Sequence, residues 1–259
     1  MEKVLITGAR SGLMSHLIDR LVNDYYIYVT VHTESQLKAV LKKYKGYDNI
    51  KCLKLDMLDD KDTNKIKDLD IDILVSSAAI GESGSLLDLP LKKIKANFEV
   101  NVFANFKLVQ MVLQKMVNRG YGKVIIMGSL AGLMPFPFGG AYSASKASII
   151  KLTEALNFEL KLLDTKVKLV LILPGLYRTG FNKLLFDGKY DFMDRDSYFK
   201  YYTDLIRKSE NIVLKLFEKK RFDSIINKLE IAVRNPNPKF IYRAPFSQSF
   251  FARILALFY

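Results

Sequence analysis

Tyr142 and Lys146 stand four residues apart in Tyr142-Ser-Ala-Ser-Lys146, and Ser129 lies upstream in Met-Gly-Ser. On a helix, that spacing puts the phenol and the ammonium on one face. A phenol of ordinary pKa, about 10, exchanges protons poorly near neutrality. A nearby ammonium favours the phenolate and is expected to lower that pKa toward a usable range. Ser129 adds a hydroxyl that could donate to a carbonyl oxygen and orient it. A surface Tyr/Lys pair is the better explanation of any isolated Y-x-x-x-K. The combination with Ser129 favours proton transfer at a carbonyl or alcohol.

A second signal opens the chain. Thr7-Gly8-Ala9-Arg10-Ser11-Gly12-Leu13-Met14 carries two glycines directly after a short apolar run. A glycine-rich turn between strand and helix presents backbone N–H groups to a phosphate. Met14 occupies the place where a third glycine would complete G-x-x-x-G-x-G. Overpacking a fixed site with a side chain this large costs about 1–3 kcal/mol or more. Removing a glycine from a helix returns up to about 1 kcal/mol.

The elements that must position these groups follow from the apolar pattern. Apolar runs at 3–7, 26–31, 50–56, 72–77, 123–129 and 167–173 alternate with helical patterns at 13–22, 35–44, 59–68, 90–118 and 141–163. Such alternation predicts a doubly wound α/β fold, a parallel sheet with helices on both faces. Ser129 then ends a strand at the carboxyl edge, where ligands of α/β sheets bind. After Pro174-Gly175 the composition shifts to Phe, Tyr, Lys and Asp. Residues 181–221 read as a loop followed by a helix, then come a helix near 222–234, a turn at 235–238 and a strand at 239–243. One domain spanning 1–259 is expected, with an elaborated C-terminal third.

Over nearly its full length the sequence resembles the short-chain dehydrogenase/reductases. The matching motifs, in order, are TGARSG (7–12), LDMLD (55–59), VNVFANF (100–106), MGS (127–129), YSASK (142–146) and PGLYRT (174–179). The resemblance implies an oxidoreductase interconverting a secondary alcohol and a carbonyl with NADP(H), or alternatively NAD(H). Tyr142 would be the general acid/base, and Lys146 would tune it and bind the nicotinamide ribose. Ser129 would position the substrate oxygen, and Asn101 would support a water-linked proton relay. A helix-interior Asn bonded to a neighbouring turn is the plain alternative for Asn101.

The resemblance also places the cofactor against Gly8, Arg10, Ser11, Gly12 and Leu13. It continues to His32 and Thr33 after strand two, Asp56 and Met57 after strand three, and Ala78 after strand four. Pro174, Gly175, Leu176 and Thr179 complete the list, with the nicotinamide amide against the backbone near Leu176. An acidic residue after strand two would repel a 2′-phosphate. His32 and Thr33 are not acidic and Arg10 could reach such a phosphate, which favours NADP(H); Glu34 counts the other way. Where the family usually has N-N-A-G, this chain has Ser76-Ser77-Ala78-Ala79. Those shorter side chains are expected to leave room that Met14 partly fills. Met14 and the serines also leave open a non-catalytic NAD(P)-binding sensor or scaffold.

Composition narrows the remaining classes. The formal charge is +13, but the lysines are scattered with no basic block, so no nucleic acid partner is expected. No metal-ligand spacing occurs. The single cysteine, Cys52, precludes an internal disulfide and suits a reducing, cytoplasmic setting. With the first strand at residue 3, no leader peptide is expected. The aromatics of 181–221 suit a lid over an apolar substrate, although an aromatic helix packed on the core explains them as well. The apolar end 244–259 could cover a neighbouring subunit or the chain's own core, the favoured readings given a homodimer or homotetramer. Peripheral contact with a membrane is the minority alternative.

Overall fold

Short runs of Val, Ile, Leu and Tyr without helical period become the strands. In the computed structural model, which describes residues 1–258, these are β1 (Lys3–Ile6), β2 (Tyr26–Val31), β3 (Ile50–Lys54), β4 (Ile73–Ser76), β5 (Lys123–Met127), β6 (Lys168–Pro174) and β7 (Ile241–Ala244). Tyr259, the last residue of the expected 244–259 segment, lies outside the described residues. All six neighbouring pairs are parallel, in the order β3-β2-β1-β4-β5-β6-β7. The sheet is the doubly wound one expected. The chain reverses its direction of travel between β1 and β4, the point at whose carboxyl edge sheets of this kind bind ligands.

The helices are α1 (Gly12–Leu21), α2 (Glu34–Lys43), α3 (Asp60–Lys67), α4 (Leu91–Phe98), α5 (Asn105–Arg119), α6 (Gly140–Leu160), α7 (Phe181–Asp187), α8 (Tyr190–Asp196), α9 (Thr203–Phe217), α10 (Asp223–Arg234) and α11 (Phe246–Leu255). Side chains cap several starts: Ser11 accepts from the Met14 N–H, Thr33 from the Gln36 N–H and Asp59 from the Lys61 N–H. Gly120, left-handed at φ +85°, ends α5. Alternation along each strand divides the core in two. Val4, Ile6 and Val75 pack with Met14, Leu17 and Ile18 of α1 and Ile225 and Leu229 of α10. Leu5 and Leu74 pack with Leu108 and Val109 of α5 and Ile149 of α6 on the opposite face.

The expected long helix at 90–118 is interrupted: Glu99–Ala104 widens into a π-helical turn between α4 and α5. Residues 181–221, expected as a loop and one helix, form α7, α8 and α9. Their aromatic residues gave no clean period because Tyr190, Met193 and Ile206 build a small separate core.

Met14 does not fill space left by Ser76, contrary to the sequence expectation. Its side chain is fully buried under α1 with Val4, Ile6 and Val75. The buried Ser76 hydroxyl donates to Asn105 Oδ1 of α5 at 2.7 Å, on the other side of the sheet. Adjacent strand residues point to opposite faces, so Met14 and Ser76 are separate repackings, while the Ser77 N–H is held by Thr7 Oγ1.

Candidate active site

Ser129 follows β5 at the carboxyl edge, where it begins a 3-10 turn, Leu130–Leu133, and accepts from the Ala131 N–H at 3.1 Å. The first turns of α6 bring Tyr142 and Lys146 beside it. Both are nearly inaccessible, and the Lys146 ammonium lies 5.9 Å from the centre of the Tyr142 ring. Lys146 Nζ donates to the Met127 carbonyl at 3.1 Å. Burial pushes the Tyr142 phenol up to about 12, a rise that the Ser129 hydroxyl opposes. Burial also pushes Lys146 down to about 8. The expected lowering of the phenol by the ammonium is therefore not realised in this arrangement: desolvation dominates, and both groups are driven toward their neutral forms.

Asn101 sits in the π-helical turn and is fully buried. Its amide accepts from the Ile80 N–H at 2.8 Å and donates to the Ile80 carbonyl at 2.9 Å. It also donates to Ser145 Oγ at 3.0 Å, and Ser145 donates to the Tyr142 carbonyl at 2.7 Å. One side chain thus ties the loop after β4 to the turn of α6 that holds Tyr142. Ser145, the third residue of the Y-x-x-x-K interval, carries no signal in the sequence that would separate it from a helix-surface serine.

The cofactor-side residues gather at the ends of β1 to β4. Thr7 Oγ1 accepts from the Ser77 and Ala78 N–H groups at 2.9 and 3.1 Å, clamping β1 to β4. Gly8 is left-handed at φ +67°, and a Cβ there would lie 2.9 Å from Ala78 Cα. No side chain can occupy that position without moving backbone. The Ser11 side chain caps α1, Gly12 begins it, and Leu13 turns its side chain into the core, leaving only backbone to the crevice. Arg10 is exposed beside this turn and forms no ion pair among the described residues. His32 Nδ1 stands 3.8 Å from Asp56 Oδ1 across the ends of β2 and β3. Asp56 also accepts from the Leu58 N–H, and the Thr33 hydroxyl is committed to capping α2. Met57 is buried in the core on the α5 side, so its side chain is not at the crevice.

The segment after β6 holds a difference from expectation. The Leu176 N–H, expected to meet the nicotinamide amide, donates to Gln248 Oε1 of α11 at 2.7 Å, and the Leu176 carbonyl accepts from the Lys219 N–H at 2.9 Å. Both polar groups of Leu176 are thus engaged by protein. A Cβ on Gly175 would collide with Gln248 Oε1, so this glycine makes room for a side chain as well as a turn. Thr179 and Phe222 both border Gly12, at 3.8 and 3.7 Å from a Cβ built there. Phe181, just beyond, lays its ring 5.4 Å from that of Tyr142 and roofs the catalytic face.

The glycine-bare cradle at Gly8 and Gly12, the start of α1 and the exposed Arg10 fit the diphosphate end of a dinucleotide. Tyr142 and Lys146 fit its nicotinamide end. No group of three or more His, Cys, Asp or Glu side chains among the described residues could hold a metal ion.

A family model described as short chain dehydrogenase matches residues 2–189. A probable short-chain type dehydrogenase/reductase of Helicobacter pylori is 31% identical over 193 residues, 71% of this chain and 68% of that one. Human 17-beta-hydroxysteroid dehydrogenase type 1 is 31% identical over 207 residues, 74% of this chain. The match spans only 62% of that relative's length. Among solved structures, a short chain dehydrogenase/reductase from Burkholderia phymatum in complex with NAD superposes with a TM-score of 0.81 at 18% identity, covering 97% of this chain and 92% of its own.

Proposed function

From the premise that this chain belongs to the short-chain dehydrogenase/reductase family, we propose that it is an NADP(H)-dependent oxidoreductase interconverting a secondary alcohol and a carbonyl. The observation that carries this reading is the convergence of Ser129, Tyr142 and Lys146 on one buried face of α6 at the carboxyl edge. When bound, the nicotinamide cofactor supplies or accepts the hydride. The protein handles the proton and the geometry.

Tyr142 is protonated at neutral pH and can donate to the oxygen of a carbonyl being reduced, whereas its rise to about 12 disfavours the phenolate needed for the reverse, alcohol-oxidising direction. Transfer to a developing alkoxide, a far stronger base, is downhill. Ser129 donates to the same oxygen and holds the substrate in line. Lys146, at about 8, keeps its proton at neutral pH and offers it to the ribose hydroxyls. The Asn101 amide is spent on Ile80 and Ser145, so its contribution here is to hold Tyr142 in place.

Gly8, Ser11, Gly12 and Leu13 would receive the diphosphate through backbone, with Asp56, Ala78, Pro174, Gly175 and Thr179 along the rest of the dinucleotide. Arg10, with His32 and Thr33 non-acidic opposite it, favours the 2′-phosphate of NADP(H). Helices α7 to α9 act as a lid, and Phe181 makes an apolar wall over Tyr142, suited to an apolar alcohol or ketone. Exposed Leu91, Phe103 and Phe158 on the α4–α6 side offer a subunit contact for a homodimer or homotetramer. The lone Cys52 thiol is consistent with a cytoplasmic location.

Tyr142→Phe tests the mechanism. It should lower turnover about 100- to 10,000-fold while leaving nicotinamide binding, followed by fluorescence, intact. Undiminished turnover would overturn the assignment.

A further inference from the structure

Helix α11 is turned inside out. Its buried positions are Ser249 and Ala252, whereas Phe246, Phe250 and Phe251 are 83, 57 and 56% exposed. A surface helix ordinarily turns its large apolar residues inward. The segment meets the chain's own core through Ser249 and Ala252 and leaves its phenylalanines uncovered. Helix α9 repeats the inversion: Thr203 and Ile206 are buried, while Leu205, Ile212, Leu216 and Phe217 face outward. The Gln248 amide of α11 donates to the Phe217 carbonyl at 2.7 Å, which ties the C-terminal end of α9 to α11. Leu257 and Phe258 extend this surface past α11. So many large apolar side chains exposed on two tied helices mark an interaction site.

Charge selects the occupant. No Asp or Glu occurs from 231 to 258. Lys208, Lys215, Lys219, Lys220 and Arg253, on or beside the two helices, form no ion pair among the described residues. Burial and the neighbouring Arg253 hold the Arg243 guanidinium below its ordinary pKa, and Arg243 Nε has no hydrogen-bond acceptor. Glu154, the acid that acts on Arg243, is itself bound by Lys151 at 2.8 Å. A second copy docked symmetrically on this face would bring these cations against one another. An anionic bilayer surface offers acyl chains to the phenylalanines and phosphate or carboxylate to the cations. No helix among the described residues is long and apolar enough to cross a membrane, so contact would lie along the surface.

We propose that α9 and α11 together form a docking face for an anionic lipid surface, with Phe246, Phe250 and Phe251 at the acyl boundary and Arg253 and Lys215 at the headgroups. The face lies outside the Ser129, Tyr142 and Lys146 set, but α9 belongs to the proposed lid and Gln248 of α11 holds the Leu176 N–H, so docking would place the lid next to the bilayer.

The full chain is floated with vesicles of phosphatidylcholine alone and of phosphatidylcholine with phosphatidylserine. It should rise with the mixed vesicles and stay behind with the neutral ones. A Phe250→Ser/Phe251→Ser double variant should lose about tenfold or more in vesicle affinity, as should Lys215→Gln/Arg253→Gln. The charge variant leaves the apolar packing untouched, which guards against misfolding as the cause. Recovery of the wild-type chain in the soluble fraction with both vesicles would overturn the proposal, and so would equal flotation on neutral vesicles. Light scattering provides a third check: if the double Phe variant dissociates an oligomer without changing flotation, the face is a contact between copies.

Discussion

Lys146 and Tyr142 are perturbed in opposite senses by one cause, the loss of water around α6. Lys146 gives up its proton near pH 8 in the fold, against an ordinary 10.5 when unfolded. Between those values the unfolded chain binds a proton that the folded one does not, so stability rises with pH. Tyr142 works the other way between 10 and about 12, where the fold keeps a proton the unfolded chain has lost, and stability falls. Lys146→Met removes the first contribution. The variant should be more stable than wild type at pH 7 by on the order of 1–3 kcal/mol, with the gap closing as pH approaches 10. Urea unfolding at both pH values measures this, and the difference between the two proteins cancels other titrating groups such as Lys123. A constant gap would mean that Lys146 is solvated. The types and spacing of Tyr142 and Lys146 were legible in the sequence, but the sign of the phenol's shift was not. It depends on desolvation by residues distant in the chain, Phe181 among them.

Helix α1 illustrates what an element contributes. Its first turn carries both the backbone proposed to bind phosphate and, at Met14, a side chain of the core. The two functions separate because Gly8, Ser11 and Gly12 face the crevice with backbone and small groups, while Met14 points beneath the helix to Val4 and Ile6. Met14→Ala should therefore cost about 2–5 kcal/mol of stability in chemical denaturation, with dinucleotide affinity changed less than about threefold once the variant is folded. A loss of affinity out of proportion to stability would mean that Met14 shapes the phosphate site directly. The departure from a glycine was visible in the sequence; the place its side chain took was not. Periodicity alone puts Met14 with Leu17, Ile18 and Leu21, but it does not say that Ser76 lies across the sheet. The π-helical turn at Glu99–Ala104 was equally hidden, because it is a hydrogen-bonding choice stabilised by Asn101 reaching Ile80.

At the scale of the molecule, a net charge of +13 acts on every anionic ligand. NADPH carries one more phosphate than NADH, and Arg10 is unpaired at the turn beside the expected ribose. Fluorescence titration at low salt should show NADPH binding about tenfold tighter than NADH, the gap narrowing as salt rises. Arg10→Ala should remove most of it. Equal affinities for both cofactors in the wild-type protein would overturn the preference and point to Glu34 as the residue facing the ribose.

The sequence by itself determined the strand–helix alternation, and with it the parallel sheet, because buried strands need unbroken apolar runs and each crossover needs a helix. It also determined the glycine turn and the shared face of Tyr142 and Lys146, which follow from residue types and local spacing. Only the tertiary structure decided what depends on distant neighbours. It joined Asn101 to Tyr142 through Ser145, engaged the Leu176 backbone with Gln248 and Lys219, and turned the phenylalanines of α11 outward. Those outcomes follow from which surfaces meet across the fold, and a linear pattern of apolar residues does not specify which side of a helix will find a partner.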